Sequence, residues 1–375
     1  MAHRTPLQIQ GNDFARQWRD IQEDAIGAVN RVGESGWLIL GEEVRRFEVE
    51  LAHWWGVPHA VGVASGLDAL EIALRCCDLP RGARVLTTPL TAFATTLAIV
   101  RAGAEPVWCD VDESGGLDLD QVDAALRADS SVRAVMPVHL YGHPMDLSGL
   151  ERLASEHAIV VIEDCAQSLG AERDGRPTAS AGAVSGTSLY PTKNLGALGD
   201  GGVLLTDDEA LAERARRLRD YGQSSRYEHV ETGLNSRLDE LHAAILRSAH
   251  LLRLDRWIAR RREIAAQYTK ALGGSALRPI QPRGGQSSYH LFPVEVMSGD
   301  ATGIAEQLVQ RGVAIGRHYP FVCPDQAAVE NMGVRIGALP VARRLAKREL
   351  SLPIHPYLED AEVEYVIESC LISCP

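Results

Sequence analysis

The stretch between residues 134 and 163 decides the fold. Ala134-Val135-Met136-Pro137-Val138-His139-Leu140 is a short apolar run, Leu147–His157 reads as a helix, and Ile159-Val160-Val161-Ile162-Glu163 is apolar again. Short runs of this kind suit strands buried on both faces. A strand, a helix and a second strand in succession are the unit from which parallel sheets are built. The same alternation extends outward through Ala60–Ala64, Ala83–Thr88, Pro106–Asp110 and Gly202–Thr206, with helices expected at Leu67–Cys77 and Leu119–Ala128. An earlier helix, Glu42–Trp55, places Val44, Phe47, Leu51 and Trp55 on one face. The expected class is therefore α/β, with a mostly parallel central sheet between helices. Such sheets bind ligands at the carboxyl ends of their strands.

After Asn235 the texture changes. Leu238–Leu272 reads as one long helix, and its Arg260-Arg261-Arg262 run reads as a solvated face. Residues 273–285 are loop-like. Tyr289–Val296 and Val313–Tyr319 read as strands, with helices around Gly303–Arg311 and Asp360–Leu371. This predicts a large α/β domain over residues 1–245 and a smaller α+β domain over 246–375, bridged by the long helix.

Composition narrows the function. A chain of 375 residues with 45% apolar content can bury two cores, and its net charge of −12 argues against nucleic-acid binding. No run is long and apolar enough for a membrane span, and the opening residues do not read as a signal peptide, so a cytoplasmic location and no membrane partner are expected. The seven cysteines show neither C-x-x-C pairs nor zinc spacing, so no metal is expected and the thiols read as reduced and mostly buried.

Three segments carry the chemistry. The strongest is Ser188-Leu189-Tyr190-Pro191-Thr192-Lys193-Asn194-Leu195-Gly196, followed by Gly199-Asp200-Gly201-Gly202. Most lysines are solvated surface groups, but this one has a hydroxyl upstream and glycines that let backbone approach a ligand. A lysine that attacks a carbonyl must lose its proton, which a desolvated site favours. The second is Val160-Val161-Ile162-Glu163-Asp164-Cys165-Ala166-Gln167-Ser168, a strand ending in two carboxylates. Asp164 could simply cap a following helix. Paired with Lys193, it supplies what pyridoxal 5′-phosphate (PLP) needs, a carboxylate for the pyridine nitrogen. Cys165, inside the same segment, reads as a small apolar residue. The third is Val63-Ala64-Ser65-Gly66-Leu67-Asp68-Ala69-Leu70, where free N–H groups at a helix start suit a phosphate.

Together these segments resemble the DegT/DnrJ/EryC1/StrS sugar aminotransferases, of PLP fold type I. The resemblance covers nearly the whole chain, from Ser35-Gly36-Trp37-Leu38-Ile39-Leu40-Gly41 through Pro137–Gly142 and Asn235-Ser236-Arg237-Leu238-Asp239-Glu240 to His318-Tyr319-Pro320. Gly66–Leu70, Tyr190-Pro191 and Leu195–Gly199 look closest to members acting at C3 of dTDP-linked 3-keto sugars. The resemblance implies that Lys193 carries the cofactor and shuttles the proton. It implies that Asp164 pairs with the ring nitrogen and that Gln167 bonds the ring hydroxyl region. Ser188 with the N–H groups of Gly66 and Leu67 would hold the phosphate. Asn235 matches a phosphate contact made from the neighbouring subunit, implying a homodimer with shared active sites. Tyr190, Arg226, Tyr227, Arg237, His318 and Tyr319 stand where the family places substrate contacts, although Arg226 also reads as an exposed loop arginine and His318 as a satisfied polar group.

Two positions depart from the family pattern. Leu67 replaces a common threonine, as in the C3-type members. Ala92, in Thr91-Ala92-Phe93, stands where an aromatic residue usually stacks on the cofactor ring. The expected function is transfer of an amino group from an amino acid such as glutamate to a nucleotide-linked keto sugar. The alternatives are an aminotransferase for a cyclitol or other small ketone, and a non-catalytic PLP-binding protein. A dehydratase branch of the same fold has histidine at the Lys193 position, which the lysine disfavours.

Overall fold

Eight strands form the central sheet, in the order His59–Val63, Gly202–Thr206, Val184–Ser188, Val160–Asp164, Val132–Met136, Arg84–Thr87, Glu105–Trp108 and Val334–Arg335. The structure, a computed structural model, describes residues 7–374. All neighbouring pairs are parallel except the two made by Gly202–Thr206, which runs antiparallel to both of its neighbours. The α/β class with a mostly parallel sheet is as expected. Helices Glu42–Trp55, Leu119–Ala128 and Leu147–His157 take the expected bounds.

Strand Val184–Ser188 was not expected. Its sequence, Val-Ser-Gly-Thr-Ser, has no apolar run, yet four of its five residues are buried. Small residues are needed because helix Gly66–Cys76 lies directly on it: a Cβ on Gly186 would come within 2.8 Å of Leu70 Cδ2. The run Ala134–Leu140 ends as a strand at Met136, because Pro137 has no N–H to give the ladder. The Pro137 carbonyl still accepts from Asp164 N at 2.8 Å, and His139 N donates to Asp164 O at 3.1 Å. These bonds clamp the chain beside the carboxylate.

The C-terminal half differs more from expectation. The single helix expected over Leu238–Leu272 is Glu240–Ile245, a π-helical turn at Leu246–His250, a 3₁₀ turn at Leu251–Arg253 and a helix Leu254–Leu272. Asp239 starts it by accepting from His242 N at 2.7 Å, and the Arg253 side chain donates to the Ala249 carbonyl within the irregular turns. Val313–Tyr319 is not a strand. It makes single bridges, Val313 with Ile9 and Gly316 with Ser351, and leads on to His318. The strand expected over Tyr289–Val296 begins only at Phe292. Leu277–Pro279, Phe292–Val296 and Glu349–Leu352 form a three-stranded antiparallel sheet. Its core joins Tyr268, Phe292, Leu350 and Val363 to Ile9 from the other end of the chain.

Arg261 overturns the solvated reading of the arginine run. It is only 3% exposed, and its Nη1 donates to the carbonyls of Tyr289, His290 and Ile354 at 3.3, 3.2 and 2.7 Å. Arg262, half-buried, donates to Ser287 O and Gly170 O. The third, Arg260, is partly exposed and donates to Leu358 O and Asp360, so all three arginines fasten neighbouring segments to the helix. Among the described residues no helix is long and apolar enough to cross a membrane, and six of the seven cysteines are buried.

Candidate active site

Asp164, Ser188 and Gly66 sit at or just beyond the carboxyl ends of three strands that share one direction in the sheet. Helix Gly66–Cys76 begins there, capped by Ser65, whose Oγ accepts from Asp68 N at 3.1 Å. The Gly66 and Leu67 N–H groups make no hydrogen bond among the described residues. A Cβ on Gly66 would lie 2.6 Å from Ser188 Cβ, and one on Gly202 would lie 2.2 Å from Ser65 O. Only glycine permits such an approach, and it sets the helix start against Ser188 as a cup for an anion. The helix macrodipole adds partial positive charge at that end.

The loop that carries Lys193 is folded on itself. Lys193 N donates to Tyr190 O at 2.8 Å, and Ala197 N donates to Leu189 O at 2.7 Å. The Asn194 amide reaches the carbonyls of Leu169 and Ser288. Lys193 keeps some exposed surface, where it borders a small cavity, but its amine is deep enough for burial to pull its pKa down to about 8. The Asp164 charge opposes that shift.

Asp164 is buried, and burial raises its pKa. Thr95 Oγ1 donates to its Oδ2 at 2.7 Å and Ala166 N to its Oδ1 at 3.0 Å, both favouring the carboxylate. No helix follows Asp164, so it does not serve as a helix cap. Its neighbour Glu163 has a structural task. Its carboxylate faces His139 Nε2 at 2.8 Å and accepts from the N–H groups of Ala179, Ala181 and Gly182. Burial pushes its pKa up, but these bonds outweigh burial and hold it below the usual value.

Both ends of the Gln167 amide are committed: its Oε1 accepts from Tyr141 N at 2.6 Å and its Nε2 donates to Tyr319 OH at 3.1 Å. The Tyr141 hydroxyl donates to His318 O at 2.9 Å. Gln167, Tyr141, Tyr319 and His318 thus form one connected group. His290 is buried, its Nδ1 has no partner, and burial, with the Lys193 charge second, drives its pKa well down.

The remaining expected site residues lie apart from this network. Tyr190 is exposed, and its N–H donates to Ser188 Oγ at 3.2 Å. Arg226 and Tyr227 pair on the surface hairpin made by Gln223–Ser225 and Glu228–His229, with Nη2 3.0 Å from the hydroxyl and the guanidinium 5.0 Å from the ring centroid. Arg237 bonds Asp220 at 3.0 Å and lies over Tyr221. Asn235 is exposed. Among the described residues none of these five side chains hydrogen-bonds Asp164, Gln167 or Lys193. Ala92 immediately precedes helix Phe93–Arg101, and Phe93 packs against a core that contains Tyr141.

Thr95, Tyr141 and Arg261 were not among the expected site residues. Thr91, just before helix Phe93–Arg101, and Thr95, in its first turn, were the legible signal: two hydroxyls four residues apart, 3.0 Å from each other, at a mostly apolar helix start.

The residues present fit PLP. A desolvated amine, a buried carboxylate held as an acceptor and a glycine-built anion cup stand together. The chain matches the model of the DegT/DnrJ/EryC1/StrS aminotransferase family over residues 19–371. The chain belongs to the DegT/DnrJ/EryC1/StrS aminotransferase family. It is a PLP-dependent transaminase. It is 39% identical over 360 residues to a dTDP-3-amino-3,4,6-trideoxy-alpha-D-glucose transaminase of Streptomyces venezuelae, covering 95% of this chain and 94% of that one. It is 37% identical over 361 residues to a "pleiotropic regulatory protein" of Geobacillus stearothermophilus, covering 95% and 96%. The crystal structure of S. venezuelae DesV in complex with a ketimine intermediate superposes with a TM-score of 0.92 at 38% identity, covering 97% of this chain and 98% of that one.

Proposed function

We propose that this family member moves an amino group from an amino acid such as glutamate to the keto group of a nucleotide-linked sugar, of the dTDP-3-keto-6-deoxyhexose type. The observation that carries the reading is the buried Lys193 amine set beside Asp164, with the cup of Gly66, Leu67 and Ser188 nearby. The similarity to the S. venezuelae transaminase supports the sugar class.

Bound PLP supplies a carbonyl that condenses with amines and a protonated ring that withdraws electrons. Lys193 Nζ, with a pKa of about 8, gives up and regains a proton near neutral pH. That suits it to bind the cofactor and then move a proton to and from the substrate carbon. Asp164, backed by Thr95 and Ala166, holds negative charge for the ring nitrogen. Gly66, Leu67 and Ser188 bind the phosphate. Gln167, fixed by Tyr141 and Tyr319, orients its amide at the ring hydroxyl.

The site is completed, in this reading, by a second copy of the chain. Trp37, Leu38 and Ile39 are 62%, 55% and 42% exposed, an apolar stretch that favours a partner surface. Arg226, Tyr227 and Asn235, exposed in one chain, then serve the neighbouring site, with Arg226 available to a diphosphate. Tyr190, Arg237, His318 and Tyr319 line the substrate side. We keep the division at residue 245 and a cytoplasmic location as part of this proposal. The regulatory name of the Geobacillus relative does not favour a non-catalytic protein, because Lys193, Asp164, Gln167 and Ser188 are all present.

The test is amination of a panel of nucleotide-linked 3-keto and 4-keto sugars and free cyclitol ketones, read by mass spectrometry. Turnover of a 3-keto nucleotide sugar is expected. Exclusive turnover of a cyclitol, or none with any ketone, rejects the reading.

A further inference from the structure

His318 is tied to strand Glu349–Leu352 by two bonds, and a third joins their two partners. Its backbone N–H donates to Glu349 Oε2 at 2.7 Å, and its Nδ1 lies 2.8 Å from Ser351 Oγ. Ser351 Oγ in turn donates to Glu349 Oε1. Glu349 and Ser351 are both buried. A hydroxyl that spends its proton on a carboxylate can only accept from the imidazole. The ring must then carry its proton on Nδ1. Nε2 is left with a lone pair and has no hydrogen-bond partner among the described residues. His318 lines a cavity of about 240 Å³ together with Thr192, the neighbour of Lys193, and with His290 and Ser351.

We propose that Ser351 and Glu349 are positioning residues that lock His318 in its Nδ1–H tautomer, so that Nε2 accepts a hydrogen bond from a hydroxyl of the keto sugar beside Lys193. The sugar part of this statement rests on the function proposed above; the tautomer part does not.

The surroundings favour a neutral acceptor. Burial, and secondarily the Lys193 charge, pull the His318 pKa down to about 4. His290 is held neutral in the same way. A pocket of neutral acceptors near a lysine suits a hydroxyl rather than an ammonium ion. Glu349 faces Ser351, the His318 N–H and the positive Arg317, with Tyr141 and Tyr319 nearby; burial raises its pKa to about 7 despite the first three. Above that pH it is ionised and the relay runs from His318 through Ser351 to the carboxylate. Glu349→Gln reverses it. The single amide oxygen is claimed by the His318 N–H, the amide NH₂ then donates to Ser351, and Ser351 must donate to His318. The proton is displaced to Nε2.

The experiment uses ¹⁵N-histidine-labelled protein at pH 8.5, with the His318 signals assigned by their loss in His318→Gln. The unliganded protein is read first, so the result does not depend on turnover. Wild type and Ser351→Thr should show Nδ1 protonated, Ser351→Ala a mixture of tautomers, and Glu349→Gln a proton on Nε2. In kinetics, Ser351→Ala should raise KM for the keto sugar by about 3- to 10-fold, the loss of one neutral hydrogen bond. The half-reaction with the amino donor should stay unchanged, and Ser351→Thr should restore KM. A wild-type proton on Nε2, or an unaltered tautomer in both Ser351→Ala and Glu349→Gln, overturns the relay. If the tautomers behave as expected but only the amino-donor half-reaction suffers, the relay stands and the sugar assignment falls.

Discussion

Thr95 Oγ1 lies 2.7 Å from Asp164 Oδ2 and donates its proton to that carboxylate. Asp164 is buried at the end of a parallel strand, where burial favours its protonated form. The hydroxyl works against burial. Hydrogen bonds to charged groups contribute about 1.5–3 kcal/mol, enough to matter against burial. Thr95→Val, which keeps the shape, should therefore raise the Asp164 pKa further. The acid limb of kcat/KM should move to higher pH, and the cofactor should leave faster on dialysis. A profile superimposable on wild type would show that Thr95 does not tune Asp164.

Lys193 gives a second pH dependence with the opposite requirement: it must be neutral to capture the cofactor. With a pKa of about 8, roughly one molecule in ten is neutral at pH 7; at the ordinary lysine value it would be roughly one in three thousand. The rate at which the cofactor-free protein takes up PLP should rise with pH and level off above about 8. Asp164→Asn removes the charge that raises the lysine pKa, so the inflection should move down. Absorbance of the bound cofactor, followed by stopped flow, measures both. An inflection near 10 in the wild type contradicts the burial argument.

Much of this site was legible in the sequence. Lys193, Asp164 and Gly66 lie beside glycines or at the ends of apolar runs, and those local patterns fix where a strand stops. The supporting residues come from distant segments and left no local pattern. Strand Val184–Ser188 escaped notice because helix Gly66–Cys76 demands small residues there, which erases the apolar run. Val313–Tyr319 opens with the apolar run Val313-Ala314-Ile315, which reads as a strand, but it makes single bridges instead of a ladder. Arg261 shows the reverse failure. A run of three arginines reads as a solvated face, and nothing local reveals that carbonyls of Tyr289, His290 and Ile354 converge on the middle one.

Arg261 accordingly carries a stability prediction. Arg261→Met keeps much of the apolar stem but strips three carbonyls, two of them in buried bonds, of their donor. The cost should be about 2–4 kcal/mol in chemical denaturation. The Arg260→Met change, at a partly exposed arginine that bonds the Leu358 carbonyl and the exposed carboxylates of Asp360 and Glu263, should cost less, about 1 kcal/mol. Equal losses at the two positions would show that charge, not burial, decides.

The shared-site proposal predicts complementation. Asn235→Ala and Lys193→Ala homodimers should each be impaired. Random exchange of subunits makes half the dimers hybrids, each with one site that has both Lys193 and its partner's Asn235. Roughly a quarter of wild-type activity should return on mixing. If Asn235 serves its own chain, every hybrid site is defective and mixing restores nothing.

Ala92 poses the remaining question about the cofactor face. It stands at the start of helix Phe93–Arg101; in the register that the family resemblance implies, it would present a methyl group to the cofactor ring in place of a stacking aromatic side chain. Phe93, next in sequence, packs on the core that holds Tyr141, with Tyr319 on the same cluster. Aromatic stacking contributes about 0.5–1.5 kcal/mol beyond area burial, so an uncovered ring should bind roughly two- to tenfold more weakly than a stacked one. If the space over the ring is open, Ala92→Tyr should tighten PLP binding by that factor, and Phe93→Ala should alter stability more than cofactor affinity. The two variants separate the cases, with affinity read from spectral titration of the cofactor-free protein. Should Ala92→Tyr expel the cofactor while Phe93→Ala also weakens it, Phe93 itself covers the ring. The alanine is then what gives that phenyl group room.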